Sequence, residues 1–126
     1  MNIKQIFELA IDMGSKADFR SAKEIDKYLK RIKGKYEKLS PKEKKLFDLE
    51  KMRNPYLDSR IHLDNGKREI KRVMAGIDLN GAEILTARYL NDKNPKKEID
   101  LLINHHPIGK SFADLSEVMH MQADIL

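Results

Sequence analysis

The hydrophobic repeat changes period near Asn54-Pro55, and that change commits the chain to a helical segment followed by an α/β unit. Ahead of it, apolar residues recur every three or four positions. Ile3, Ile6, Phe7 and Ala10 form one stripe, with Gly14 placed to stop the helix. Ile25, Tyr28, Leu29, Ile32 and Tyr36 form a second stripe. Ser21 with Glu24, and Ser40-Pro41 with Glu43, are capping-box patterns, in which each side chain satisfies an amide that the first helical turn leaves unbonded. The helix opened by Ser40 is expected to run past Leu46, Phe47 and Leu49. It should end before Pro55, because the residue ahead of a proline is biased away from helix.

Beyond the proline the grammar is that of strands. Residues 60–63 read as a short strand and Asp64-Asn65-Gly66 as a turn. Residues 70–79 read as a longer strand, and Asn80 with Glu83 opens a helix that Asn94-Pro95 ends. Ile99, Leu101, Leu102 and Ile103 make a short continuous apolar run, which predicts a strand buried on both faces. Asp114 and Glu117 mark a last helix. Strand, helix, strand, helix predicts two parallel strands with a right-handed crossover. The expected fold class is α/β (α+β overall): a helical N-terminal region over residues 1–56, then a βαβ-type unit over residues 57–126 with a mixed or parallel sheet. A linker falls around residues 54–58.

Composition bounds the function. The 126 residues suffice for one domain. No apolar run approaches the roughly 20 residues that span a bilayer, so no membrane partner is expected. The opening Met1-Asn2-Ile3-Lys4-Gln5 lacks signal-peptide grammar. Cysteine is absent, which excludes disulfides, thiolate metal sites and cysteine nucleophiles; a cytoplasmic location is the expectation. The net charge of +5 is uneven, with 12 basic and 6 acidic side chains between positions 23 and 53. Such a stretch can attract nucleic acid, but acids interspersed at helical spacing favour a solvated helix face.

The chemistry-bearing feature is His105-His106-Pro107, directly after the apolar run. Parallel strands put Asp78 and His105 at carboxyl ends on one edge of the sheet, where open α/β folds bind ligands. Imidazole is a good donor for zinc, iron, nickel or copper. Consecutive strand residues point to opposite faces, so both rings can share a site only where the strand breaks, and Pro107 supplies that break. Splayed rings suit two metals, one ring on each, or one metal on one ring with a partner hydrogen-bonded beside it. Asp78 fits orienting a histidine, binding water, or capping the next helix. Gly109-Lys110-Ser111 looks like the end of a P-loop, but Asn104 stands where that loop requires glycine. Lys110 remains a candidate contact for an anionic substrate.

The segment Asp100-Leu101-Leu102-Ile103-Asn104-His105-His106-Pro107 resembles the signature of the Nif-three-like family, whose members are often labelled GTP cyclohydrolase type 2 homologues. Val73-Met74-Ala75-Gly76-Ile77-Asp78-Leu79 is similar to the aspartate-ending strand that precedes the pair in that family, and Asp64-Asn65-Gly66 to an early Asp-Asn-x-Gly element. The resemblance covers roughly residues 60–126. It implies an α/β protein assembled into homo-oligomeric rings, with His105 and His106 each ligating one of two divalent metal ions, zinc, iron or manganese. It implies metal-dependent hydrolysis of a small-molecule substrate that no residue here identifies. The family completes its site with a later aspartate and a late histidine and glutamate one turn apart. None of these precedes Leu126, so residues 57–126 are expected to be an incomplete metal-site half and the chain the N-terminal portion of a longer protein.

Two alternatives stand beside this reading. His120 and Asp124, four apart with Glu117 on the same side, could complete a site locally, although a polar face opposite Leu115, Met119 and Leu126 is ordinary for a surface helix. His62 has no visible partner and reads as structural. The alternative function is a non-catalytic binding module whose basic helices meet a protein or nucleic-acid partner.

Overall fold

Each helix of the N-terminal region begins where a side chain can close its first turn. A computed structural model describes residues 1–66 and 69–123, with side chains to position 119. Helix α1 (Ile3–Ala17) is opened by Asn2, whose side chain accepts from the Gln5 amide while Gln5 accepts from the Asn2 amide, both at 2.9 Å. Helices α2 (Ala22–Glu37) and α3 (Pro41–Leu46) carry the Ser21/Glu24 and Ser40/Glu43 capping boxes read from the sequence.

Two helix boundaries differ from expectation. Gly14 lies inside α1 rather than after it, and the Tyr56 ring packs 3.4 Å from where its Cβ would stand. A close neighbour, not a chain reversal, explains that glycine. Helix α3 stops at Leu46 because Phe47 turns extended and packs on Tyr36, with ring centroids 5.0 Å apart. A 3₁₀ turn, Leu49–Met52, then follows under the Asp48 side chain.

The α/β half consists of β1 (Val73–Gly76), α4 (Gly81–Lys93), β2 (Leu101–Asn104), α5 (Gly109–Ala113) and α6 (Leu115–Ala123). The two strands pair in parallel, Val73 opposite Leu101 through Gly76 opposite Asn104, so the chain has the mixed α/β architecture expected. Asp100 fixes the start of the pair: its Oδ2 accepts the Lys71 and Arg72 amides at 2.7 and 2.9 Å. Both strands are shorter than the apolar pattern. Residues 60–63 form no strand, because among the described residues no neighbour pairs with them; they line a cleft instead. The second strand is not buried on both faces. Ile103 is 42% exposed and Val73 46%, since among the described residues helices cover only part of the sheet.

Buried apolar side chains are few among the described residues: Ile25, Leu57, Leu79 and Ala87. Polar contacts do much of the joining. Arg60, whose side chain is 4% exposed, reaches Asp48 and Asp114, each at 2.7 Å, and donates to the Leu57 carbonyl at 2.9 Å. Lys51 also holds Asp114 at 2.8 Å, and Lys110 holds Asp48 at 3.1 Å. This cluster ties the 3₁₀ turn after α3 to the start of α6. A second knot joins Asp18, Arg20 and the Tyr56 hydroxyl. No helix among the described residues is long and apolar enough to cross a membrane.

Candidate metal centre

The parallel ladder continues past the ends of both strands. The His105 amide donates to the Gly76 carbonyl and the His106 amide to the Ile77 carbonyl, each at 2.9 Å. The histidine backbone is thereby tied to the chain leaving β1, and Asp78 comes alongside. The chain bends at His105 and His106, so the rings do not splay to opposite faces. Their centroids lie 5.3 Å apart with planes inclined at 35°. His106 Nδ1 is 3.0 Å from Asp78 Oδ1. With the proton on Nδ1 donated to that carboxylate, the lone pair of Nε2 is left free to bind a cation. Asp78 thus stands against a histidine rather than at the cap of α4; the Asn80 amide and the Glu83 carboxylate, 2.8 Å apart, share that cap.

Two residues that sequence reasoning passed over make this turn possible. Gly76 is required by a close approach: a Cβ there would stand 2.7 Å from Leu79 Cδ2, and Leu79 is one of the buried core residues. Asn104 clamps the other side, its Oδ1 accepting the Leu79 amide at 2.9 Å. Its Nδ2 is buried with no hydrogen-bond partner among the described residues. An orphaned buried donor is costly, about 1–3 kcal/mol when nothing accepts from it. The asparagine was legible only as a failed P-loop glycine.

The histidines border a cleft of about 680 Å³ between α1 and the sheet, lined by Ile6, Phe7, Leu101, Asn104, His105 and His106 among others. That volume lies within the range of small-molecule sites, roughly 300–1,000 Å³. His62 also lines it, but its Nε2 meets the hydroxyl of Ser111 at 3.1 Å. Ser111 is 1% exposed, so this contact anchors the 57–65 loop to α5. Lys110 is engaged by Asp48. Burial pushes the Asp48 carboxyl up, but Lys110 and Arg60 outweigh it and hold the group below the usual carboxylate range.

Donor chemistry and spacing at the pair fit a divalent metal: two imidazoles side by side, one oriented by a carboxylate. No group of three or more histidine, aspartate or glutamate side chains able to hold one ion occurs among the described residues. Among the described residues, His105, His106 and Asp78 are the donors gathered at this edge of the sheet. The alternative ligands cannot be placed against them: the His120 side chain and all of Asp124 lie outside the described residues. No protein-family model, curated protein or solved structure matches the chain.

Proposed function

We propose that the chain is a metal-binding protein of hydrolytic type, in which His105 and His106 ligate divalent metal and Asp78 fixes the ring of His106. The contact between Asp78 and His106 Nδ1 carries the reading. A solvated pair of loop histidines needs no carboxylate on one ring, whereas a ligating imidazole is commonly oriented by one. Zinc, iron or manganese suits the imidazole and oxygen donors, and the resemblance to the Nif-three-like family implies two ions per complete site. A divalent ion there supplies Lewis-acid polarisation and activates water near neutral pH.

The residues of this chain do the rest. Asp78 holds the His106 proton on Nδ1. The apolar walls of the cleft exclude bulk water. The ligands beyond the histidine pair come from outside the described residues or from solvent. Membership of the Nif-three-like family, a homo-oligomeric assembly and a cytoplasmic location belong to the same proposal, supported by the His105-His106-Pro107 segment and the absence of cysteine. The substrate is a small molecule sized to the cleft.

Metal analysis of untagged protein, purified without a chelating column, tests this. Zinc, iron or manganese approaching one ion per chain, and lost in His105→Ala and His106→Ala, supports it. A protein free of metal that takes up none of these ions when they are added refutes it.

A further inference from the structure

Helix α2 separates its residues by charge. At about 100° per residue, Ile25, Tyr28, Leu29, Ile32 and Tyr36 share one side. Ile25 is buried and the others are half-buried. On the opposite side Lys23, Lys27, Lys30, Arg31 and Lys38 fall within a sector of about 100° and are all exposed. Two of the three acids flanking them are engaged, and the third, Glu37, is exposed at the edge of the sector. Glu24 caps Ser21 at 2.8 Å, and Asp26 holds Lys30 at 2.6 Å. Lys23, Lys27, Arg31 and Lys38 make no salt bridge to a carboxylate among the described residues.

Gly34 occupies the centre of this cationic side. It is interior to the helix, where alanine is the better residue. Among the described residues nothing lies within 4 Å of a Cβ built there, so no packing among them accounts for the glycine. Its neighbours one turn away are Lys30, Arg31 and Lys38. The missing side chain leaves a notch in which a rigid anionic strand can approach the helix backbone.

The partner follows from what the face lacks. An amphipathic helix that lies on a membrane needs its apolar side free, and that side of α2 is turned inward. A protein interface is anchored by central aromatic or apolar residues, and this side presents none. No asparagine or glutamine is there to read base edges. The row from Lys23 to Lys38 runs about 22 Å at 1.5 Å per residue. That matches roughly six base pairs of duplex at 3.4 Å each. We propose that the outer face of α2 docks the phosphate backbone of double-stranded nucleic acid independently of sequence, with the Gly34 notch as the point of closest approach. The proposal is independent of the metal centre.

Fluorescence anisotropy of the full chain with a labelled duplex tests it. Binding is expected at low salt, weakening with a log–log slope of about −3.6, as four cations each releasing roughly 0.9 counterion would give. Lys27→Glu/Arg31→Glu/Lys38→Glu should lower affinity at least tenfold with the helical circular dichroism unchanged. Lys93→Glu/Lys96→Glu/Lys97→Glu, which reverses as many charges elsewhere on the surface, should have a much smaller effect. Gly34→Ala should raise the melting temperature and lower affinity, opposite directions that a purely structural glycine would not produce. No binding at low salt overturns the proposal, as does binding that survives charge reversal on α2. An unchanged affinity in Gly34→Ala, or capture by phosphatidylserine vesicles without duplex binding, also overturns it.

Discussion

Replacing Arg60 with alanine removes the cation shared by Asp48 and Asp114, together with the hydrogen bond to the Leu57 carbonyl. The Arg60 side chain is 4% exposed and its carboxylate partners 16% and 15%, so solvent replaces little of what is lost. Breaking a buried ion pair by deleting one partner costs about 3–5 kcal/mol. Here Asp48 retains Lys110 at 3.1 Å and Asp114 retains Lys51 at 2.8 Å, which places the expected loss at the lower end, about 3 kcal/mol. Urea unfolding measures it: with a slope of about 2 kcal/mol per molar, the midpoint falls by roughly 1.5 M. Arg60→Lys should lose part of this, since one ammonium cannot reproduce a guanidinium fork that reaches two carboxylates and a carbonyl. The exposed Arg53 is the control, and Arg53→Ala should stay within about 0.5 kcal/mol. A change in Arg60→Ala below about 1 kcal/mol, the worth of a surface ion pair, would refute the reasoning.

Two further outcomes concern single carboxylates. Asp78→Asn should weaken metal binding about tenfold, the low end for loss of an orienting group, because His106 and Asp78 are 55% and 61% exposed. Competition against a chromophoric chelator reads this, and an unchanged affinity excludes Asp78 from the site. Asp18 is held well below its ordinary value of 3.8, first by the Arg20 guanidinium and then by the Arg20 amide and the Tyr56 hydroxyl, against burial. A folded pKa below the unfolded one contributes stability that is complete above the unfolded value and is lost as pH falls below about 4 toward the folded pKa. Asp18→Asn should therefore cost about 2 kcal/mol at pH 7 and progressively less as the medium is acidified below pH 4, read from urea midpoints. A cost independent of pH would show that charge is not what Asp18 contributes.

Local chemistry was legible in the sequence and long-range chemistry was not. Ser21 with Glu24, and Ser40 with Glu43, act over three residues, so their capping boxes could be read directly. The parallel pairing of residues 73–76 with 101–104 followed from the strand, helix, strand order, and that pairing puts Asp78 beside His106. The contacts that joined Arg60 to Asp114, or Ser111 to His62, span about fifty positions and leave no local trace. Pattern also misjudged lengths. Ile61 and Leu63 alternate as a strand would, but with no neighbour to pair among the described residues they stay irregular. The apolar run ending at Ile103 implied cover on both faces, and among the described residues only part of that cover exists. At the site, the histidines and Asp78 were visible, whereas Asn104 and Gly76 were not, because their roles depend on where Leu79 folds back.

The central claim is that His105 and His106 together bind metal. Zinc titration of untagged protein, followed through the imidazole nitrogens by nuclear magnetic resonance, tests it most directly. The account predicts that ring nitrogens of His105 and His106 shift in concert until zinc is stoichiometric, with the His106 Nδ1 proton retained toward Asp78. Shifts confined to His62 or His120, or rings that ignore zinc altogether, would contradict it.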